Sequence, residues 1–129
     1  DTAGQENFWS ITQSYYKGAI GALIIFDISN RQSYENLSKW IRDAKTSSNS
    51  DNFELVILGN KHDLIQFRKV TKEEAKTFAA QEGLSYMETS AKTGHNVDKA
   101  FWMIVDQILI KIDNKMLDVE LEDGIWRWP

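Results

Sequence analysis

Two short runs of apolar residues, Gly21-Ala-Leu-Ile-Ile-Phe-Asp27 and Glu54-Leu-Val-Ile-Leu-Gly59, set the tightest limit on what this chain can fold into. Neither run alternates apolar with polar residues, and each ends in a polar residue or glycine. That is the pattern of strands covered on both faces, as in a parallel sheet. Leu84-Ser-Tyr-Met-Glu88 reads as a weaker third strand. Helical patterns separate the three. Tyr34, Leu37, Trp40, Ile41 and Ala44 recur at helix spacing behind Ser33 as the expected cap. Thr71 to Glu74 spells a capping box, Ala75, Phe78 and Ala79 form the apolar face behind it, and Gly83 stops that helix. Val97, Phe101, Ile104, Val105, Ile108 and Ile112 form a long amphipathic stripe. Strands alternating with helices predict right-handed βαβ units, hence a doubly wound, mostly parallel α/β sheet with helices on both faces.

Composition narrows the function classes. At 129 residues, 42% of them hydrophobic, the chain suits one compact domain. Its net charge of −4 and scattered Lys and Arg residues argue against a nucleic-acid partner. With no cysteine there is no disulfide, thiolate metal site or thiol nucleophile, and no lipid anchor of the prenyl type is expected on this chain. A cytoplasmic setting is compatible with all of this. The apolar runs are far shorter than a membrane span.

Three segments carry the chemistry: Asp1-Thr2-Ala3-Gly4-Gln5, Asn60-Lys61-His62-Asp63 and Ser90-Ala91-Lys92. In an open parallel sheet, ligands bind where the loops converge at the carboxyl ends of the strands, which is where the second and third segments fall. Alone, an N-K-x-D is as readily a solvated loop; the S-A-K segment one strand later makes the pair specific. In order and spacing the three resemble the small GTPases of the Ras superfamily, with their P-loop small GTPase fold, so GTP or GDP and Mg2+ are the implied ligands. A carboxylate such as Asp63 can accept two hydrogen bonds from the guanine ring N–H and exocyclic amine, donors that adenine lacks at those positions. Asn60 can tie its loop to neighbouring segments and approach the base edge. Lys61 can lay its aliphatic stem over the ring, and the backbone N–H of Ala91 can reach the guanine carbonyl. Ser90 and Lys92 complete the nucleotide-binding set, while His62 and His95 read as solvent-facing residues.

By the same resemblance Asp1 holds Mg2+ through a water, Gly4 offers a backbone N–H to the terminal phosphate, and Gln5 is the catalytic residue that orients the attacking water for GTP hydrolysis. The sequence contains no G-x-x-x-x-G-K-[ST] segment to cradle phosphates, so Asp1 to Gln5 reads equally as an inert relic. The first residue being Asp1 rather than Met is expected of a fragment, a processed product or an incomplete gene model.

Asn7-Phe8-Trp9-Ser10-Ile11-Thr12, Ser14-Tyr15-Tyr16-Lys17-Gly18-Ala19 and Leu23-Ile24-Ile25-Phe26-Asp27-Ile28-Ser29 are most similar to the Rab branch. That likeness covers Asp1 to about Ile112, a partial small GTPase domain running from switch II to the last helix, with residues 113–129 as a flexible, acidic tail holding Trp126 and Trp128. It implies a molecular switch in vesicle-mediated protein transport on the cytosolic face of secretory or endosomal membranes, with exchange factors, GTPase-activating proteins and effectors as partners. Phe8, Ile11 and Tyr16 become candidate effector contacts, although Phe8 and Tyr16 would serve as well to pack on the sheet. Trp9 departs from the small or basic residue usual there. The rival reading is a truncated pseudo-GTPase, a non-enzymatic interaction fragment that keeps the switch II surface.

Overall fold

Leu55, Val56, Ile57 and Leu58 are buried in succession along strand β2, Glu54–Asn60, so both of its faces are covered. A computed structural model describes residues 20–47 and 53–113. In it β2 lies between β1, Gly21–Asp27, and β3, Ser85–Glu88, in a three-stranded sheet of order β1-β2-β3 whose pairings are both parallel. The register sets Asp27 opposite Asn60 and Gly59 opposite Glu88, which brings the carboxyl ends of all three strands to one edge.

Side chains on alternate sides of the strands feed two cores. Ile24, Phe26, Leu55 and Ile57 pack with Leu37, Ile41, Ala44, Ala75 and Ala79 on one face. Leu37, Ile41 and Ala44 come from helix α2 (Leu37–Ser47) and Ala75 and Ala79 from α3 (Lys72–Gln81), while the short helix α1 (Arg31–Glu35) adds the half-buried Tyr34. Val56 and Leu58 pack on the other face with Ala100, Ile104 and Ile108 of α4, Val97–Asp113. The expected α/β architecture with helices on both faces of a parallel sheet is therefore present. No helix among the described residues is long and apolar enough to cross a membrane.

Local details differ from the sequence reading in three places. The helix expected behind Ser33 is capped by Asn30, which has extended backbone and accepts from the Ser33 N–H. Ser33 instead sits inside the first turn, where its Oγ bonds the Asn30 carbonyl at 2.6 Å and receives the Asp27 N–H at 2.9 Å. The single helix also divides at Asn36 into α1 and α2. On α4 the apolar stripe is rotated: Ala100 takes an inward position, while Phe101 and Val105 are 57% and 36% exposed. The expected capping box is made, with Thr71 N–H donating to Glu74 Oε1 at 2.8 Å and Glu74 N–H to Thr71 Oγ1 at 3.1 Å. Gly83 follows with a φ of +70°, a conformation glycine adopts without strain. Of the tail expected from residue 113 onward, only Asp113, the last residue of α4, falls among the described residues.

Candidate functional site

Asn60 is the last residue of β2, and its position opposite Asp27 places its amide between two loops. Its Oδ1 accepts the hydroxyl of Thr89 at 3.2 Å and the backbone N–H of Ala91 at 3.1 Å. One side chain thereby ties the loop after β2 to the loop after β3. The Ala91 N–H is thus directed at Asn60 within the protein, and Ala91 itself is exposed.

Lys61 turns the chain sharply, with φ 67° and ψ 37°, the left-handed region that residues bearing a Cβ adopt at a cost. The reversal lets the His62 N–H reach the Thr89 carbonyl at 3.0 Å and starts a kinked 3-10 segment over His62–Phe67, with the Leu64 N–H donating to Lys61 O at 2.8 Å. Lys61 Nζ lies 2.8 Å from Asp27 Oδ2. The other oxygen of Asp27 accepts the Ser29 N–H at 2.8 Å and the Ser29 hydroxyl at 2.6 Å. Burial pushes the Asp27 carboxyl upward, but the hydrogen bonds from Lys61 and Ser29 outweigh it and hold the group below the ordinary carboxylate value.

Asp63 is exposed, and its Oδ1 accepts the buried hydroxyl of Ser90 at 2.7 Å. Ser90 is clasped by its own loop: Oγ accepts the Thr93 N–H at 3.1 Å, the carbonyl accepts the Gly94 N–H at 2.8 Å, and the N–H donates to His95 O at 3.0 Å. Lys92 lies exposed in the turn that follows. The structure thus brings Asn60, Lys61, Asp63, Ser90 and Ala91 into one bonded cluster with Lys92 on its rim. Asp1, Gly4, Gln5, Phe8, Ile11 and Tyr16 lie outside the described residues.

A buried support stands under this cluster. Glu88, 8% exposed at the end of β3, receives both arms of Arg68 at 2.7 and 2.8 Å and the hydroxyl of Tyr86 at 2.7 Å. Burial acts to raise its pKa, and the bonds from Arg68 and Tyr86 prevail and lower it. The pKa of Tyr86 is driven up, first by burial and then by its bond to Glu88. A Cβ on Gly59 would collide with the Tyr86 hydroxyl, so a larger residue before Asn60 would have to displace that hydroxyl from Glu88.

Asp27, Ser29, Thr89 and the Arg68–Glu88–Tyr86 set escape a reading of motifs. Asp27 alone left a signal, since it closes the first apolar run just as Asn60 closes the second. His62 and His95, expected to face solvent, contact one another with ring centroids 5.1 Å apart; His62 is half-buried and His95 exposed. Among the described residues no group of three or more His, Cys, Asp or Glu side chains could hold a metal ion. Compared with known families, residues 1–110 match the family model described as Ras family.

Proposed function

This chain belongs to the Ras family, and from that premise we propose that it carries the base-reading end of a Rab-like GTP/GDP switch that acts in vesicle-mediated transport. Members of the family bind GTP or GDP with Mg2+ and engage regulators and effectors. The Rab assignment is supported by the residues around Phe8, Tyr16 and Phe26, and it carries with it a place on the cytosolic face of secretory or endosomal membranes.

The observation that carries the proposal is the bonded cluster at the strand ends. An ionised carboxylate is acceptor-only and has about four acceptor positions. Ser90 fills one on Asp63, which fixes the carboxylate while leaving capacity for the two N–H groups of a guanine edge. Adenine would meet the same carboxylate with no donor at those positions. The ion pair with Asp27 anchors the end of Lys61, whose methylene stem then offers apolar surface to the flat of a base. Asn60 keeps the two loops in register. By resemblance, Asp1, Gly4 and Gln5 serve Mg2+, the terminal phosphate and the attacking water, and Phe8, Ile11 and Tyr16 face effectors.

Replacing Asp63 by Asn tests the base reading. An amide can donate to the extra carbonyl of xanthine where a carboxylate only accepts, so Asp63→Asn should shift preference from GDP toward XDP by at least roughly tenfold, about 1.4 kcal/mol. Competition between the two nucleotides measures it. An unchanged preference would remove Asp63 from the base-reading role.

A further inference from the structure

Behind the two loops, on the side facing α3, lies a cleft of about 260 Å³ whose lining includes His62, Lys72, Lys76, Glu88, His95 and Asn96. Its charge runs against that of the chain, which is −4 overall. Lys72 and Lys76 stand one turn apart on α3, both exposed, and neither has an acidic partner among the described residues. The only acid in the lining, Glu88, has both oxygens occupied, Oε1 by Arg68 and Oε2 by Arg68 and Tyr86. Two imidazoles in mutual contact complete the wall. Imidazole offers an N–H donor in its neutral form and two when protonated. The Asn96 amide is oriented by its 2.9 Å bond to the Glu88 carbonyl.

Two lysines and two histidines lining a small polar cleft, whose acid Glu88 is already paired with Arg68, suit an oxyanion carrying more than one charge. They do not suit a divalent cation, which two ammonium groups repel and for which the histidine pair finds no third ligand among the described residues. The volume lies below the roughly 300–1,000 Å³ of most small-molecule sites, enough for a phosphate with a short organic group. We propose that this cleft is a second ligand site that takes a phosphate dianion, as free phosphate or as a small phosphomonoester. It shares backbone with the base-reading loops, because His62 lies between Lys61 and Asp63 and the carbonyl of His95 accepts the Ser90 N–H. Its lining includes none of Asn60, Asp63, Ser90 and Lys92, so the two sites can be tested separately.

Titration of the full 15N-labelled chain with inorganic phosphate, and separately with glycerol 3-phosphate, at constant ionic strength tests this. Saturable amide and imidazole shifts are expected at His62, Lys72, Lys76, His95 and Asn96, with a Kd of about a millimolar. The double substitution Lys72→Ala and Lys76→Ala should weaken binding at least roughly tenfold, through the loss of two charge-assisted contacts. His95→Gln offers an independent second variant that should weaken it as well. Tighter binding of glycerol 3-phosphate would identify an ester as the ligand, and tighter binding of phosphate the free ion. The proposal is overturned if neither anion gives saturable shifts, if the shifts fall on Asn60, Asp63 and Lys92 while His62 and His95 stay still, or if the lysine variant binds as the parent does. It is equally overturned if Zn2+ shifts both histidines and phosphate does not.

Discussion

Lys61 holds a left-handed backbone that costs a residue with a Cβ on the order of 1 kcal/mol. Its ammonium group is tied to Asp27 at 2.8 Å. Lys61→Gly changes both at once: glycine relieves the backbone cost, while the half-buried Asp27 loses its ammonium partner but keeps its two bonds from Ser29, so the opposing changes largely offset. Stability by denaturant unfolding should therefore stay within about 1 kcal/mol of the parent, while guanine-nucleotide affinity falls. A large loss of stability with affinity retained would show that Lys61 serves the fold and not the base. At this scale the letters of the motifs were legible and their partners were not. Asn60, Lys61 and Asp63 announce themselves by spacing. Asp27 lies far upstream in the chain and becomes visible only when the parallel register sets it opposite Asn60. The bond from the Ala91 N–H to Asn60, which joins the loops, likewise has no signature in the motif.

Elements close in sequence were readable where the signal is local. The Thr71–Glu74 capping box spans four residues and is present as expected; Glu74 then does double duty by taking Arg31 at 2.7 and 3.1 Å, which ties α1 to α3. Asn30 and Ser33 are both good cap residues, and the choice between them rests on where the extended backbone after β1 ends, which composition does not encode. The rotated stripe on α4 has a similar origin, since that helix is apolar over a wide arc and only the sheet decides which part turns inward. The Arg68–Glu88 pair joins the segment after the 3-10 turn to the end of β3 and was invisible, because buried ion pairs have no local spacing rule. Glu88→Ala leaves the half-buried Arg68 without its carboxylate and the Tyr86 hydroxyl without its acceptor, so it should cost up to about 3 kcal/mol by denaturant unfolding, whereas Arg68→Met with Glu88→Met should cost less than either single change. The acid response follows in sign. The pKa of Glu88 is lowered in the fold, so its contribution is present above its ordinary value of 4.5 and lost as pH falls through the lowered value. Stability measured from pH 6 downward should therefore decline less steeply in Glu88→Gln, once its lower starting stability is subtracted; an acid limb parallel to the parent's would show that other carboxylates carry the response.

Among the described residues one sheet lies between helices α1 to α3 on one face and α4 on the other, and the candidate site gathers at the carboxyl ends of its strands, as in open α/β sheets. The fold was largely legible because continuous apolar runs admit few arrangements other than a covered parallel sheet. The placement of the candidate base-reading segments was legible because N-K-x-D and S-A-K fall at the ends of successive strands. The support beneath them and the cleft behind them are tertiary features, assembled from residues with no pattern in common. The central claim is that this strand edge reads guanine, and calorimetry of the 129-residue chain with Mg2+, comparing GDP with ADP, tests it most directly. Because the sequence contains no G-x-x-x-x-G-K-[ST] segment to cradle phosphates, absolute affinity should be weak, about micromolar or poorer. GDP should nevertheless bind at least roughly tenfold more tightly than ADP, a difference of about 1.4 kcal/mol carried by Asp63. Equal binding of the two nucleotides would contradict it.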